Sequence, residues 1–196
     1  TQTIPIVGTG ALVELGFAQS RNRPGGNVTG VDIAAPELDV KKFEVLKELL
    51  PEAQHITFIY DPTTSPTGRD RPDRMAASLG LSIRALPVTN LAELAAALAQ
   101  AGEWGHPVNV GNAPLIAQNR PLVTDLVRRH RLAAICEWPV MAAMGCLASY
   151  GFTLEALNGH AADYAQRILR GAKPADLPIV SPTQFRFVIN QRTARE

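Results

Sequence analysis

Gly145-Cys146-Leu147-Ala148-Ser149-Tyr150-Gly151, an amphipathic run over Leu154–Leu169, then Arg170-Gly171-Ala172-Lys173-Pro174-Ala175-Asp176-Leu177-Pro178 and Gln184-Phe185-Arg186-Phe187-Val188-Ile189-Asn190 decide the fold of this chain. The spacing predicts a short strand at Cys146–Tyr150, a helix, a Pro-rich crossing and a last strand. In the helix, Leu154, Leu157, Ala161, Tyr164, Ala165, Ile168 and Leu169 recur at intervals of three and four, one apolar stripe. Arg170-Gly171 followed by Pro174 supplies a basic last turn and a stop. The alternation from Gln184 predicts a strand buried on one face.

Upstream, strand and helix patterns alternate. Ile4–Val7 is a short apolar run, followed by Gly8-Thr9-Gly10 and a helical pattern through Ser20; Val28–Ile33 is β-rich after the Pro24–Asn27 loop. Leu38, Phe43, Val45, Leu46, Leu49 and Leu50 mark a helix that ends at Pro51. Ile56–Tyr60 reads as a buried strand and Asp61–Pro66 as the turn at its carboxyl end. A polar helix over Asp70–Leu79, a strand over Leu81–Val88, an Ala/Leu-rich helix over Asn90–Ala101, a weak strand at Val108–Val110, a helix over Arg120–Arg131, a strand over Leu132–Glu137 and a helical turn at Val140–Met144 follow.

Strands separated by helices in this way predict an α/β fold of parallel sheets with helices on both faces. The pattern divides into two Rossmann-like lobes, the first incomplete: residues 1–33 with 145–178, and residues 38–138 with 183–196. Crossings are expected near 31–38, 138–145 and 178–185. Ligands of open α/β sheets bind at the carboxyl ends of strands, so the cleft between lobes is the expected site.

Composition narrows the function. At 46% hydrophobic over 196 residues the chain can build a real core, and a net charge of +1 gives no electrostatic case for nucleic acid or an anionic membrane. Only 6% of residues are aromatic, too few for a base-stacking platform. No apolar run approaches the roughly 20 residues that span a bilayer. The start at Thr1, without Met or a signal pattern, reads as cut or processed. Cys136 and Cys146 can pair outside the cytosol, although the apolar context of each reads as a buried free thiol.

Enzyme chemistry finds little support. Gly8-Thr9-Gly10 lacks the third glycine of a dinucleotide fingerprint, Val13 standing in its place, but backbone amides at Thr9, Gly10 and Ala11 can hold a carboxylate. Ser149 lacks the glycine two residues earlier that a nucleophile elbow needs. The four histidines are not at metal-ligand spacing. No catalytic residue, metal or cofactor is therefore expected. The candidate ligand contacts are Thr9, Gly10 and Ala11; Asp61, Thr63, Thr64 and Ser65, whose hydroxyls and helix-start amides suit a carboxylate; Thr89 and Asn90, which also suit an N-cap; Gly111 and Asn112; and Glu137, a carboxylate able to meet a ligand amine.

The ordered set Ile4–Val7, Arg23-Pro24-Gly25-Gly26-Asn27-Val28-Thr29-Gly30-Val31, Leu46-Lys47-Glu48-Leu49-Leu50-Pro51, Gly145–Gly151, Ile168–Pro178, Pro182-Thr183, Asn190 and Thr193-Ala194 resembles the ABC transporter substrate-binding protein family of the tryptophan/tyrosine-transporter type. The resemblance implies the type I periplasmic-binding-protein fold. It also implies an extracytoplasmic receptor, lipid-anchored in some full-length forms, that closes on a small solute and delivers it to a membrane permease. It further implies a leader and roughly 80–100 residues of first-lobe sheet that this chain lacks. An incomplete lobe leaves sheet edge and apolar face open, from which a homodimer is expected. Where the family carries Asp-Pro after the first strand this chain has Ala11 and Leu12, and where it carries Gly-Gly-Leu this chain has Gly145-Cys146-Leu147. Both departures bear on ligand identity rather than fold. A ligand-sensing module of a regulator with the same fold, and a nucleotide-binding Rossmann-like enzyme, are the alternatives.

Overall fold

The computed structural model describes residues 1, 3–33, 35–64 and 79–195. The chain divides into two units, one of Thr1–Ala34 with Phe152–Phe185 and the other of Ala35–Gly151 with Arg186–Glu196. Among the described residues no helix is long and apolar enough to cross a membrane.

The larger unit is built on a six-stranded sheet. Its elements are α1 (Ala35–Leu49), β3 (His55–Tyr60), β4 (Ser82–Pro87), α2 (Leu91–Trp104), β5 (Val108–Val110), α3 (Pro114–Gln118), α4 (Arg120–Arg129), β6 (Ala134–Cys136), α5 (Pro139–Met144), β7 (Ala148–Gly151) and β8 (Arg186–Ile189). The strand order is β4-β3-β5-β6-β7-β8, parallel as far as β7 and antiparallel at β8. Every second residue of β3 faces α1. Ile56, Phe58 and Tyr60 pack with Phe43, Val45 and Leu46, and Phe43 meets the Phe58 ring edge-on at 5.4 Å. Right-handed crossovers place α2, α4 and α5 on the opposite face. There α2 buries Leu94, Ala97, Leu98 and Ala101, a spacing of three and four, and packs on α4. The polar helix expected over Asp70–Leu79 lies, except for Leu79, outside the described residues.

The smaller unit pairs β1 (Ile6–Thr9) with β2 (Val28–Val31) in parallel, under α6 (Leu154–Leu169). Residues 177–180 are zipped to β2: Thr29 Oγ1 donates to the Leu177 carbonyl at 2.6 Å, and Asp32 N–H donates to the Val180 carbonyl at 2.8 Å. The Tyr164 hydroxyl donates to the Pro178 carbonyl. Gly30 has φ +149°, and a Cβ there would lie 1.9 Å from the Gly8 carbonyl oxygen, so these two strands approach only because the site is glycine.

Six expectations need correction, the last at the two cysteines. The segment 145–151 belongs to the larger unit, because Ile135 and Cys136 pair with Ala148 and Ser149; the chain passes between units after Gly151, not at 138–145. The sheet is mixed, because β8 returns beside β7 from outside the larger unit and meets it antiparallel. Ala11–Ser20 forms consecutive turns rather than a helix, since Gly10 (φ +139°) and Gly16 (φ +76°) break the stretch into a piece too short to propagate. The stripe of α6 is narrower than its sequence suggests: Leu157 and Tyr164 are buried while Leu154 and Leu169 are exposed, because only a two-stranded ribbon lies beneath. Along β8, Phe187 and Ile189 remain exposed, as befits an edge strand with one hydrogen-bonded neighbour.

Cys136 and Cys146 form a disulfide, both fully buried. The free-thiol reading fails because β6 and β7 are neighbours. The short α5 folds back so that the two Cα atoms lie 6.5 Å apart, within bridging range.

Candidate functional site

In the larger unit, β3, β4, β5 and β6 run parallel, so the residues that follow them share one rim. The chain runs from β3 outward to β4, then returns to add β5 on the other side of β3. The order therefore reverses at β3/β5, where loops leave the sheet in opposite directions and open a crevice at the carboxyl ends. The sequence-predicted residues Asp61, Thr63 and Thr64 follow β3, Thr89 and Asn90 follow β4, Gly111 and Asn112 follow β5, and Glu137 follows β6. Ser65 lies outside the described residues.

Asp61 is buried and organises its own turn. Its Oδ1 accepts from Thr63 N–H at 2.8 Å and Thr63 Oγ1 at 2.6 Å, so that oxygen braces the turn. Gly111 donates its N–H to the Ile59 carbonyl at 2.8 Å, bringing the post-β5 loop onto β3 at the switch point. A Cβ on Gly111 would sit 2.8 Å from that same oxygen, so the approach requires glycine. Asn112 beside it is half-buried and without a hydrogen-bond partner among the described residues.

Thr89 and Asn90 serve the helix. Asn90 Oδ1 accepts from Glu93 N–H at 3.0 Å, and Glu93 Oε2 accepts from Thr89 N–H and Oγ1 at 2.7 and 2.9 Å. This reciprocal arrangement caps α2 and holds the Glu93 carboxyl below its usual range, first through the Thr89 N–H and then through its hydroxyl.

Glu137 sits under the first turns of α1, in a buried polar cluster the sequence did not reveal. Lys42 is fully buried, pairs with Asp39 Oδ1 at 2.8 Å and donates to the Val110 carbonyl at 2.8 Å. Asn109 Nδ2 donates to the Asp39 carbonyl at 3.1 Å. Glu137 is 2% exposed, and among the described residues neither carboxyl oxygen has a hydrogen-bond partner. Burial pushes its carboxyl up to about 8, against the pull of Lys42 and with the push of Asp39. Burial likewise raises Asp39, opposed by Lys42. The signal for Lys42 was present: it stands four residues from both Leu38 and Leu46, inside the apolar stripe of α1.

In the smaller unit Thr9, Gly10 and Ala11 close β1. Gly10 N–H donates to the Val31 carbonyl at 3.1 Å, and the Gly10 carbonyl accepts from Leu12 N–H at 2.9 Å. Sequence reasoning missed Asp32 at the end of β2, which is 1% exposed and ion-paired with Arg21 Nε at 2.7 Å.

Two cavities lie at the other ends of these strands. One of about 540 Å³ in the larger unit is lined by Leu50, His106, His130, Arg131 and Leu132. One of about 680 Å³ in the smaller unit is lined by Pro5, Phe17, Asn27 and Lys173. Neither touches the rim residues.

The reversal of strand order beside β3 makes this an open α/β sheet, with a switch point at the carboxyl ends of its parallel strands. The chain belongs to the ABC transporter substrate binding protein family, whose model matches residues 1–196. It is 25% identical over 201 residues to the tyrosine-binding protein of Clostridioides difficile, covering 100% of this chain and 57% of that one. The chain thus spans little more than half the length of that curated relative. Among solved structures it is similar to the ABC domain of Streptococcus pneumonia in complex with L-Trp, at TM-score 0.87 and 24% identity, over 100% of this chain and 68% of the other. It is also similar to a conserved domain protein of Vibrio cholerae, at TM-score 0.89 and 24% identity, over 100% and 67%.

Proposed function

We propose that this chain binds a small amino-acid-like solute, an aromatic amino acid, and serves as the extracytoplasmic solute receptor of an ABC importer, passing the ligand chemically unchanged to a membrane permease. The observation that supports the reading is the switch point: Thr63 and Thr64 follow β3, Gly111 and Asn112 follow β5, and Glu137 follows β6, all at the carboxyl ends of neighbouring parallel strands. The Asn112 side chain, without a partner among the described residues, suits the ligand carboxylate, and Glu137 suits its ammonium. The names of the tyrosine-binding relative and of the L-Trp complex support an aromatic side chain. The buried Cys136–Cys146 disulfide suits an oxidising compartment outside the cytosol.

A thermal-shift screen against the twenty amino acids tests the proposal. Ligand at about one hundred times its Kd adds about 2.7 kcal/mol to stability, which corresponds to a rise of roughly 5–10 °C in Tm. L-tyrosine or L-tryptophan should give that rise. No shift with any amino acid at millimolar concentration would defeat the reading.

A further inference from the structure

We propose that capture of the ligand at this rim releases one proton, given up by Glu137 as its carboxyl accepts the ligand's ammonium; this rests on the binding function proposed above. The geometry is unusual for a carboxyl group. Glu137 is 2% exposed, with both oxygens buried and without a hydrogen-bond partner among the described residues. The cation nearest to hand is already engaged, since Lys42 is held by Asp39 at 2.8 Å and by the Val110 carbonyl at 2.8 Å. Lys42 and Asp39 balance each other, which leaves Glu137 as a third ionisable group with no counter-charge of its own.

Among the described residues few other charged groups face it. From α1 the charged groups facing Glu137 are Lys42 and Asp39. On the flanking strands, β5 (Val-Asn-Val) brings no titratable side chain and β7 brings only Tyr150; α5, which follows Glu137, brings none. The space beside it is fixed by Gly151, where a Cβ would fall 2.6 Å from Glu137 Cγ and 2.4 Å from its carbonyl oxygen.

In such a place the neutral acid is the resident form, in keeping with a carboxyl raised to about 8 by burial. A ligand ammonium brings the missing charge. The acid O–H bond then breaks, the proton passes to solvent, and the carboxylate left behind pairs with the ammonium, so charge and atoms balance. No oxidant or second reactant is involved. Binding linked to one proton tightens about tenfold per pH unit below the pKa of the free site and levels above it.

Isothermal titration of the full chain with L-tyrosine and L-tryptophan, in phosphate and in Tris at pH 7, reads this directly. The expected result is an enthalpy that differs between buffers by the heat of about one proton taken up by the buffer, with Kd falling about tenfold from pH 6 to 7 and about fivefold from pH 7 to 8. In Glu137→Gln both the buffer dependence and the pH slope should vanish. Equal enthalpies in the two buffers, or a variant that keeps the wild-type slope, would overturn the coupling while leaving the binding function standing. Heat with no amino acid at all would remove both. A readout that needs no ligand is carboxyl 13C NMR of the protein: one glutamate should titrate near pH 8 and be absent from Glu137→Gln, and its titration between pH 4 and 5 would overturn the proposal.

Discussion

Replacing Glu137 by glutamine should make the protein more stable at neutral and alkaline pH and leave it nearly unchanged at pH 4.5. The unfolded chain titrates this carboxyl near 4.5, and in the folded protein burial raises it to about 8. A carboxyl whose folded pKa is raised contributes stability fully below the unfolded pKa and loses it as pH climbs through the folded value. At about 1.4 kcal/mol per unit, the window from 4.5 to 8 amounts to roughly 5 kcal/mol at most, and roughly 3 kcal/mol by pH 7. Glutamine keeps the shape and cannot ionise, so the variant escapes that loss. Urea unfolding followed by circular dichroism at pH 5, 6, 7 and 8 gives both curves. Wild-type stability should fall relative to the variant by more than 1 kcal/mol per pH unit, and the raised Asp39 carboxyl, present in both proteins, should largely cancel in the difference. Two parallel curves, or a variant less stable at pH 8, would refute the reasoning.

Reducing the Cys136–Cys146 bond, which closes a short loop of sequence separation 10, should cost about 3 kcal/mol by loop-closure entropy. That is a drop of roughly 6–12 °C in Tm, and an unchanged Tm with both thiols titrated would contradict it. Arg131 occupies the left-handed position (φ 51°) just past α4, where Leu132 N–H bonds back to the Val127 carbonyl at 3.0 Å. Arg131→Gly should therefore gain about 0.5–1 kcal/mol in urea unfolding, and a loss would show that the side chain contributes more than the backbone strain costs. Gly30→Ala should destabilise the β1–β2 unit by about 3 kcal/mol or more, since its Cβ collides with the Gly8 carbonyl; a change under about 1 kcal/mol in thermal melts would show that the strands part easily.

The α/β alternation was legible because β3 and β6 are short, largely apolar runs bounded by turn residues, and because α2 repeats Leu94, Ala97, Leu98 and Ala101 at helical spacing. The rim was legible for the same reason: the residue after a strand is at the carboxyl end whatever the sheet order. The partner of 145–151 was not legible. Cys146–Tyr150, mostly apolar, would suit either sheet, and only the pairing of Cys136 with Ser149 decides it. The same adjacency decides the disulfide, which spacing alone left open. The switch point is a property of strand order, which periodicity does not carry. Glu137 was marked by its place before Trp138-Pro139, but its burial depends on Lys42 and Asp39, more than ninety residues earlier. A lysine in an apolar stripe is ordinarily taken for a solvated one whose stem lies along the core.

Amide chemical-shift mapping of the labelled full chain during titration with L-tyrosine or L-tryptophan tests the ligand site most directly. Saturable shifts should concentrate at Thr63, Thr64, Gly111, Asn112 and Trp138, along the carboxyl rim where β3, β5 and β6 end. Shifts confined to the opposite ends of the strands, around His106, His130 and Leu132, would contradict it.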